Sequence, residues 1–598
     1  MCGIIGIIKN DVKNALLESL SRLEYRGYDS CGVCILENNK IKISKTVGTV
    51  KKLANKIGTG TCGIGHTRWA TNGIVNEANA HPHYSDNFDV VGVHNGIVEN
   101  SSELKRKLIS NGYNFYSDTD SEVLIKLIDY YHKKFNLRPD DAINKALLRA
   151  KGNCAVLLMF KEYPNQIWFG KNGLPLIIGT SDTEICIASD IFAFPKSINK
   201  IYYVDDNECG YIETNSPTFF DLNGTNVTSL KKAESYKYKS SDELGVFHHW
   251  MLKEINDISN VADDLANKYN IQSDIFTIEQ DYKFDESMIN RLREANTIAL
   301  LGCGSSYNAA KIFQHCVKSK DLRVEVYNAG ETMFEFKEDL DILESSTIIA
   351  ISQSGETEDV IRSVKALSEY NVKIIVITNN VNSSLAKLAD WVLDMSCGKE
   401  IAVAATKSFI ATLILLSAIA TITGNPLGLN VNPYTVKELT NKLDYYEYQV
   451  QQIVPKLVNY DKLILIGSDV DYYVAKEIAL KLKECCYIYT DVLKCSELKH
   501  GTLALIDDSA LVISLSSNSY LSTTVFANQQ VQSRGGKVLS ISAGDDYVDE
   551  LIKLFDGSVD TIFTQEIIVG QLLAYYLAIE KGINPDKPRN LAKSVTVK

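Results

Sequence analysis

From about residue 290 onward, apolar runs of strand length alternate with longer helical patterns, and this rhythm is the feature that most constrains the fold. The runs are apolar throughout rather than at every second position; they are Thr297–Leu301, Thr347–Ile351, Lys373–Thr378, Lys462–Ile466, Leu511–Leu515 and Lys537–Ile541. Continuous hydrophobicity is typical of parallel strands that are buried on both faces. The alternation with helices therefore predicts doubly wound α/β sheets in this half of the chain.

The α/β pattern occurs twice. Leu300–Gly302 leads into Ser305–Tyr307, and Leu465–Gly467 leads into a similar serine and tyrosine pattern. Further along, the sequence of Ile351–Ser354 is similar to that of Ile513–Ser516. These echoes predict an internal duplication of one α/β domain.

Residues 1–235 are different, with many short apolar segments separated by Gly, Asn and Asp and two helical patterns, near Asn14–Leu23 and Ser121–Phe135. This pattern predicts an α+β domain of sheets covered by helices. A polar stretch at about Lys231–Asp242 indicates a linker. Because 598 residues exceed what one core supports, we expect domains at 1–235, 286–425 and 426–588, lead-in helices within 236–285, and a separate tail at 589–598.

Composition excludes several classes of protein. The net charge of −12 argues against a broad nucleic-acid-binding surface. No apolar run is expected to span a membrane, since Phe409–Ile422 is short and predicts a buried helix, and no signal peptide is apparent. The cysteines lack disulfide-like spacing, which favours reduced thiols in the cytoplasm. The Cys31-x-x-Cys34 motif is interpreted as a small buried pair rather than a metal site.

The second residue, Cys2, is a candidate nucleophile. Removal of the initiator Met would place a free α-amine beside the thiol, and an α-amine titrates at about 7.7–8.0. It can therefore act as the general base for its own side chain. The alternative is an ordinary buried cysteine in the first strand.

Other segments supply what attack on a glutamine amide requires. His94-Asn95-Gly96 follows an apolar strand and can offer an Asn amide and a Gly N–H as an oxyanion hole. Arg68 suits an amino-acid carboxylate and Asp120 an ammonium group. Taken alone, Arg68 could lie on the surface and Asp120 could cap a helix.

Together these segments resemble the class II, N-terminal-nucleophile glutamine amidotransferases. The matching segments are Cys2–Gly6, Glu24–Ser30, Arg68-Trp69, Ala80–His83 and His94–Gly96. The resemblance implies an αββα glutaminase domain in which Cys2 forms a thioester and Asn95 and Gly96 stabilise the oxyanion. It also implies that Arg68, Thr71 and Asp120 hold glutamine and that Trp69 shields the ammonia.

In the second half, Ser352-Gln353-Ser354-Gly355-Glu356-Thr357 lies between a strand and a helix. Hydroxyl groups and free N–H groups at a helix N-terminus can cradle a phosphate, although a polar capping turn would have the same composition. Gly302–Ser306 forms a similar turn but has neither Rossmann nor P-loop spacing.

Aldose–ketose isomerisation needs a base for the proton between C1 and C2 and an acid–base group that opens the ring. Glu484 and His500 are the candidates, with Lys481 on the helical face of Glu484. A surface ion pair is the alternative for Lys481 and Glu484. Lys593, in the C-terminal tail, could form a Schiff base with a ketose.

Residues 290–598 resemble two sugar isomerase (SIS) domains, and the order of domains over nearly the whole chain resembles the glutamine–fructose-6-phosphate aminotransferase (isomerising) family. Ser-Gln-Ser-Gly-Glu-Thr, Glu497–Gly501 and Asn590–Val597 are the most specific marks. The resemblance implies L-glutamine and fructose 6-phosphate as substrates, a homodimer formed through the isomerase domains, and no metal or other cofactor. It assigns the sugar phosphate to Ser305, Ser306, Ser352, Gln353, Ser354, Thr357, Val403 and Ala405, ring opening to His500, the open chain to Lys593, and proton transfer to Glu484 with Lys481.

The chain departs from this family at Asn72, Gly330, Lys399 and Ser468-Asp469, beside rather than within the principal motifs. Three alternatives remain. A phosphoribosyl-diphosphate amidotransferase would need an acidic pyrophosphate loop, and a silent sugar-phosphate-binding regulator should lack Cys2, Glu484 or Lys593. A dedicated glutaminase or deglycase-like activity would form no amino sugar.

Overall fold

The computed structural model describes residues 2–38, 40–214, 216–237, 243–271, 283–317, 321–331, 346–370, 372–425, 429–517, 521–544 and 548–595. The chain divides into two compact units, Met1–Asp242 with Ala592–Lys598, and Glu243–Leu591. The predicted linker at Lys231–Asp242 lies partly outside the described residues. The predicted domain boundaries at 235, 285, 425 and 588 stay predictions.

The first unit contains two sheets whose strands pair antiparallel. The strands are β1 (Gly3–Ile8), β2 (Ser30–Glu37), β3 (Lys40–Val47), β4 (Cys62–Arg68), β5 (His83–Tyr84), β6 (Val90–Gly96), β7 (Cys154–Phe160), β8 (Ile167–Asn172), β9 (Ile177–Thr180), β10 (Ile185–Ala188), β11 (Lys200–Tyr203), β12 (Glu208–Glu213), β13 (Ser216–Phe220) and β14 (Glu234–Ser235). The helices are α1 (Lys13–Leu23), α2 (Ser101–Ser110), α3 (Asp120–Lys134) and α4 (Pro139–Arg149). The sheet orders are β14-β11-β9-β10-β1-β4-β2-β3 and β13-β12-β8-β7-β6-β5.

Alternating side chains stack these elements into four layers. Ile4 and Ile8 of β1 share a core with Val91 of the second sheet, whereas Ile5 and Ile7 point the other way, into the core formed with α1. The far face of the second sheet packs against α2, α3 and α4. The period of two residues along a strand thus produces the predicted αββα architecture.

The second unit contains two parallel sheets. The strands are β15 (Thr297–Gly302), β16 (Arg323–Asn328), β17 (Thr347–Ile351), β18 (Lys373–Thr378), β19 (Trp391–Asp394), β20 (Lys462–Gly467), β21 (Tyr489–Lys494), β22 (Leu511–Ser516), β23 (Lys537–Ser542) and β24 (Glu550–Lys553). The helices are α5 (Trp250–Asn256), α6 (Ile258–Tyr269), α7 (Glu286–Arg293), α8 (Ser305–Cys316), α9 (Glu358–Leu367), α10 (Lys407–Ile422), α11 (Pro433–Thr440), α12 (Leu443–Leu457), α13 (Val470–Cys486), α14 (Leu521–Gln532) and α15 (Val559–Glu580).

The strands of the two parallel sheets are arranged in the same way, in the orders β16-β15-β17-β18-β19 and β21-β20-β22-β23-β24. The predicted duplication of a doubly wound domain is therefore confirmed. Successive residues of a strand lie in different cores; Leu300 packs into the core shared by both repeats, and Leu301 packs beneath α9. Burial on both faces explains why the runs are apolar at every position.

One helix is longer and more apolar than the sequence pattern indicated. The helix α15 has 22 residues and is long and apolar enough to cross a membrane by length and composition. However, 89% of its most apolar stretch is buried inside the protein, and core helices pass the same test. The sequence argument overlooked α15 because Gln565, Glu566 and Gln571 interrupt its apolar pattern. The prediction of a buried helix at Phe409–Ile422 is confirmed by α10.

Cys31 and Cys34 are both buried, as expected, but they do not form a pair. Cys31 lies in the core beside α1, and Cys34 lies between the two sheets. Positions three apart on a strand face opposite sides, so the motif cannot converge on one metal ion.

Candidate functional site

The thiol of Cys2 lies against the backbone of Trp69, one residue beyond the end of β4. The Trp69 N–H donates to the Cys2 Sγ at 3.4 Å, and the thiol donates to the Trp69 carbonyl at 3.6 Å. Burial raises the pKa of the Cys2 thiol, while the Trp69 N–H and Arg68 act in the opposite direction. Since burial prevails, the thiol needs a base to become a nucleophile.

The predicted oxyanion residues end strand β6. The Asn95 Nδ2 donates to the Cys2 carbonyl at 3.0 Å, so the amide and the thiol belong to one site. Gly96 has a φ of 124°, and a Cβ there would lie 2.0 Å from the Asn153 carbonyl oxygen. Only glycine can place the backbone in this position next to Asn95.

Arg68 is buried and anchors the loop that follows Trp69. Its Nη2 donates to the carbonyls of Asn72 and Gly73, whereas its Nη1 has no hydrogen-bond partner in the part of the chain that the structure describes. One guanidinium nitrogen is thus available for an anion. Asn72, at which the chain departs from the family, contributes its backbone carbonyl to this contact. Every residue carries this group, so the departure does not change the contact.

The other residues predicted to bind the substrate glutamine differ in how deeply they are buried. Asp120 begins α3, is buried, and accepts the Val98 N–H at 2.7 Å. Trp69 is half-buried and Thr71 is exposed. The geometry brings Cys2 into direct contact with Asn95 and with Trp69, and Arg68 is adjacent in sequence to Trp69.

A group of four buried histidines was not assigned a role from the sequence. The rings of His66 and His81 stack at 3.8 Å, the His94 N–H donates to the His81 Nδ1 at 3.3 Å, and the His66 Nε2 lies 3.1 Å from the His94 carbonyl. Burial lowers the pKa of these three rings and of His83. The rings are therefore uncharged at neutral pH. Their contacts hold the part of strand β6 immediately before Asn95. The spacing Ala80–His83 was visible in the sequence, but its packing against β6 was not.

In the second unit, Lys481 of α13 is almost fully buried. Its Nζ lies 2.7 Å from the Glu484 Oε2 and 3.4 Å from the Glu477 Oε1, and it donates to the Ser305 Oγ at 3.1 Å. Burial alone would lower the pKa of Lys481, but the two carboxylates raise it. The alternative of a surface ion pair for Lys481 and Glu484 is therefore wrong.

Glu477 was missed by the sequence analysis. It is 1% exposed and accepts hydrogen bonds from the Ser305 Oγ and the Asn308 Nδ2, both at 2.8 Å. Burial raises its pKa. Glu477 therefore joins α8 of the first repeat to α13 of the second. The only available signal was its position four residues before Lys481, on the same helical face.

The predicted phosphate cradle is a turn between β17 and α9. The hydroxyls of Ser352 and Thr357 are 2.8 Å apart, the Gly355 N–H donates to the Ser352 Oγ, and the Glu356 N–H donates to the Ser354 Oγ. Thr357 directly precedes α9, and its side chain makes no capping bond to the helix. Hydroxyl groups and the helix N-terminus thus lie together, as an anion site requires. Gln353 lies within this turn and Ser306 in the first turn of α8.

The remaining predicted residues are more dispersed. Val403 and Ala405 lie in the segment before α10, and His500 is exposed at the end of the 3-10 turn Cys495–His500. Among the described residues, no hydrogen bond or ion pair joins His500 to Lys481. Lys593 is half-buried and belongs with the first compact unit, so its role at the sugar site stays a prediction.

Comparisons with known proteins match both halves of the chain. A glutamine amidotransferase domain model matches residues 66–196, and a SIS domain model matches residues 291–422 and 456–580. The glutamine–fructose-6-phosphate aminotransferase [isomerizing] of Caldanaerobacter subterraneus subsp. tengcongensis is 37% identical over 621 residues, covering 100% of both chains. The chain belongs to this family.

Other relatives show the same extent of similarity. The enzyme of the same name from Pyrococcus horikoshii is 36% identical, again over 100% of both chains. The C-terminal domain of glucosamine-fructose-6-phosphate aminotransferase from Francisella tularensis matches in structure with a TM-score of 0.50 and 26% identity, covering 58% of this chain and 100% of that one. The predicted order of one glutaminase and two SIS domains is confirmed.

Proposed function

We propose that this enzyme transfers the amide nitrogen of glutamine to fructose 6-phosphate and isomerises the product, giving glucosamine 6-phosphate and glutamate. The observation that carries the proposal is the presence of two sites in one chain. One is a thiol held against Asn95, and the other is the Lys481 cluster, which lies in the same compact unit as the hydroxyl-rich turn at 352–357. The full-length similarity to aminotransferases of this name supports it.

At the first site, loss of Met1 frees the α-amine of Cys2, which takes the thiol proton. This step is required because burial raises the thiol pKa. The thiolate attacks the glutamine amide, and the Asn95 amide with the Gly96 N–H stabilises the oxyanion. The free nitrogen of Arg68 suits the carboxylate of glutamine and Asp120 its ammonium group. Trp69 and Thr71 close the site.

At the second site, Glu484 acts as the base. Its side chain is 21% exposed, whereas that of Glu477 is 1% exposed and holds α8, so only Glu484 can reach a substrate. Lys481 stays protonated between them and supplies positive charge to the intermediate.

The sugar itself is held by groups around these two residues. Ser305, Ser306 and the 352–357 turn bind the phosphate, while Val403 and Ala405 line the sugar. His500 opens the ring, and Lys593 holds the open chain.

We also propose a cytoplasmic homodimer that needs neither metal nor cofactor. All 13 cysteines are free thiols, which supports a reducing compartment. Among the described residues, no group of three or more His, Cys, Asp or Glu side chains could hold a metal ion.

The decisive variant is Cys2→Ala. It should abolish formation of glutamate and glucosamine 6-phosphate from glutamine and fructose 6-phosphate, because no other thiol lies at the Asn95 amide. Isomerisation of the sugar phosphate should continue at the wild-type rate. Both products are measured by chromatography, with Cys316→Ala, a half-buried cysteine on α8 outside these contacts, as the matched control. Glutaminase activity retained by Cys2→Ala would contradict the proposal.

A further inference from the structure

Three segments of the second unit meet at one buried residue, Asp586. Its Oδ2 accepts the Trp250 N–H and its Oδ1 accepts the Met251 N–H, both at 2.8 Å. Its backbone carbonyl accepts the Val403 N–H at 3.2 Å. Asp586 therefore holds the start of α5, the segment predicted to line the sugar, and the chain that leads into the tail with Lys593.

The start of α5 depends on this distant residue for its cap. The preceding residue, His249, makes no capping hydrogen bond with its side chain. The first N–H groups of a helix have no partner within the helix, so a carboxylate on both Trp250 and Met251 fixes where α5 begins. Asp586 is 7% exposed, and a buried N–H left without it would be costly.

A second carboxylate ties the same helix to the same loop. Glu254 of α5 is 1% exposed, and its Oε1 accepts the N–H groups of Ile401 and Ala402. Together with Asp586 it binds three consecutive amides, those of residues 401–403. The segment between Glu400 and α10 is therefore shaped by α5 and Asp586.

The other end of the segment is fixed separately. Glu400 accepts the N–H groups of Thr406 and Ser408, both at 3.1 Å. Removing the Glu254 carboxylate, or weakening the cap that the Asp586 carboxylate makes on α5, should thus displace residues 401–403 without releasing α10. This confines the expected effect to the part of the segment that carries Val403.

We propose that Asp586 and Glu254 are positioning residues. They hold the sugar-lining segment and the start of the C-terminal tail in a fixed position relative to α5. The inference rests on the proposed function, since it assigns the sugar to Val403 and the tail to Lys593. Neither carboxylate needs to touch a substrate. Their role is to keep the sugar site formed when ammonia arrives.

The test compares Asp586→Asn, Glu254→Ala and Glu254→Gln with the control Asp560→Asn. Asp586→Asn keeps the shape but replaces one acceptor with an NH2 group. Glu254→Gln keeps one oxygen and should behave as wild type, whereas Glu254→Ala should not. Asp560 is a half-buried aspartate that accepts the Asn430 N–H at 3.1 Å, away from this segment.

For Asp586→Asn and Glu254→Ala we expect the KM for fructose 6-phosphate to rise at least about tenfold, since the first variant loses one hydrogen bond and the second loses two. Glutamate should exceed glucosamine 6-phosphate, because ammonia arrives at a disordered site, while the KM for glutamine should not change. An unchanged KM for the sugar with a product ratio of one would overturn the proposal. A loss of both activities in equal proportion would overturn it as well.

Hydrogen exchange supplies a readout that does not depend on activity. The amides of residues 401–403 should exchange at least about tenfold faster in both deleterious variants and at the wild-type rate in Asp560→Asn and Glu254→Gln. Unchanged exchange in Asp586→Asn would refute the positioning role. A wild-type enzyme that forms no glucosamine 6-phosphate would instead refute the proposed function, and the exchange result would still stand.

Discussion

Asp471 and Glu566 form a buried carboxyl pair near the carboxyl end of β22. The Asp471 Oδ2 accepts the Ser517 N–H at 2.9 Å, and Glu566 is fully buried beside the Ser516 backbone. Burial raises the pKa of Asp471 to about 6, and Asp469 adds to the effect. Burial, with Asp471 beside it, also raises the pKa of Glu566. Two carboxylates so placed destabilise the folded state once they ionise.

This pair predicts that stability falls as pH rises. A carboxyl with a raised pKa binds its proton more tightly in the folded state, so the free energy of unfolding declines from about pH 4, the unfolded pKa, through pH 6. Asp471→Asn should therefore raise the free energy of unfolding at pH 8 by about 3 kcal/mol and much less at pH 4. Urea unfolding at both pH values measures the difference. An equal change in the free energy of unfolding at the two pH values would contradict this account.

The two long helices of the second repeat, α13 and α15, pack unusually closely at Gly570. A Cβ at this position would lie 2.5 Å from the Cγ1 of Ile478 and 2.7 Å from its Cδ1. Both residues are in the core, so neither side chain can move into solvent. Glycine in a helix interior normally costs about 1 kcal/mol relative to alanine. Here the absence of a side chain is what permits the contact.

Gly570→Ala should destabilise the protein despite the better helix propensity of alanine. Overpacking a core costs about 1–3 kcal/mol, which exceeds the gain of about 1 kcal/mol from propensity. The double variant with Ile478→Ala should lose less stability than the two single variants predict, because truncation of Ile478 makes room for the methyl group added at position 570. Urea unfolding of the wild type, the two single variants and the double variant gives a complete double-mutant cycle. Strict additivity would show that the close contact is not the cause.

At the scale of the whole molecule, the sequence predicted what local periodicity encodes. Continuous apolar runs such as Thr347–Ile351 reveal a strand buried on both faces, and the i, i+3 spacing of Lys481 and Glu484 reveals a shared helical face. Partners distant in the chain leave no such signal. Glu477 reaches Ser305 across 172 positions, and Asp586 reaches Trp250 across 336. These contacts follow from the packing of the two repeats, not from local patterns.

The two activities are useful only if they are coupled within one molecule. Ammonia that escapes into water is diluted and protonated, whereas ammonia delivered directly keeps a high effective concentration at the sugar. When the Cys2→Ala and Glu484→Gln enzymes are mixed, every catalytic residue is present in the solution. However, no single chain has both sites intact. We expect this mixture to hydrolyse glutamine yet to form glucosamine 6-phosphate at less than about a tenth of the wild-type rate.

The control is a mixture of Cys2→Ala with Glu580→Gln, an exposed substitution at the end of α15 that leaves its chain fully competent. This mixture should retain about half of the wild-type rate, since half of its chains carry both sites. Glucosamine 6-phosphate and glutamate are quantified in the same reaction, so that hydrolysis and transfer are compared directly. If the first mixture matched the second, ammonia would be passing through bulk water, and the enzyme would be two independent catalysts joined in one chain.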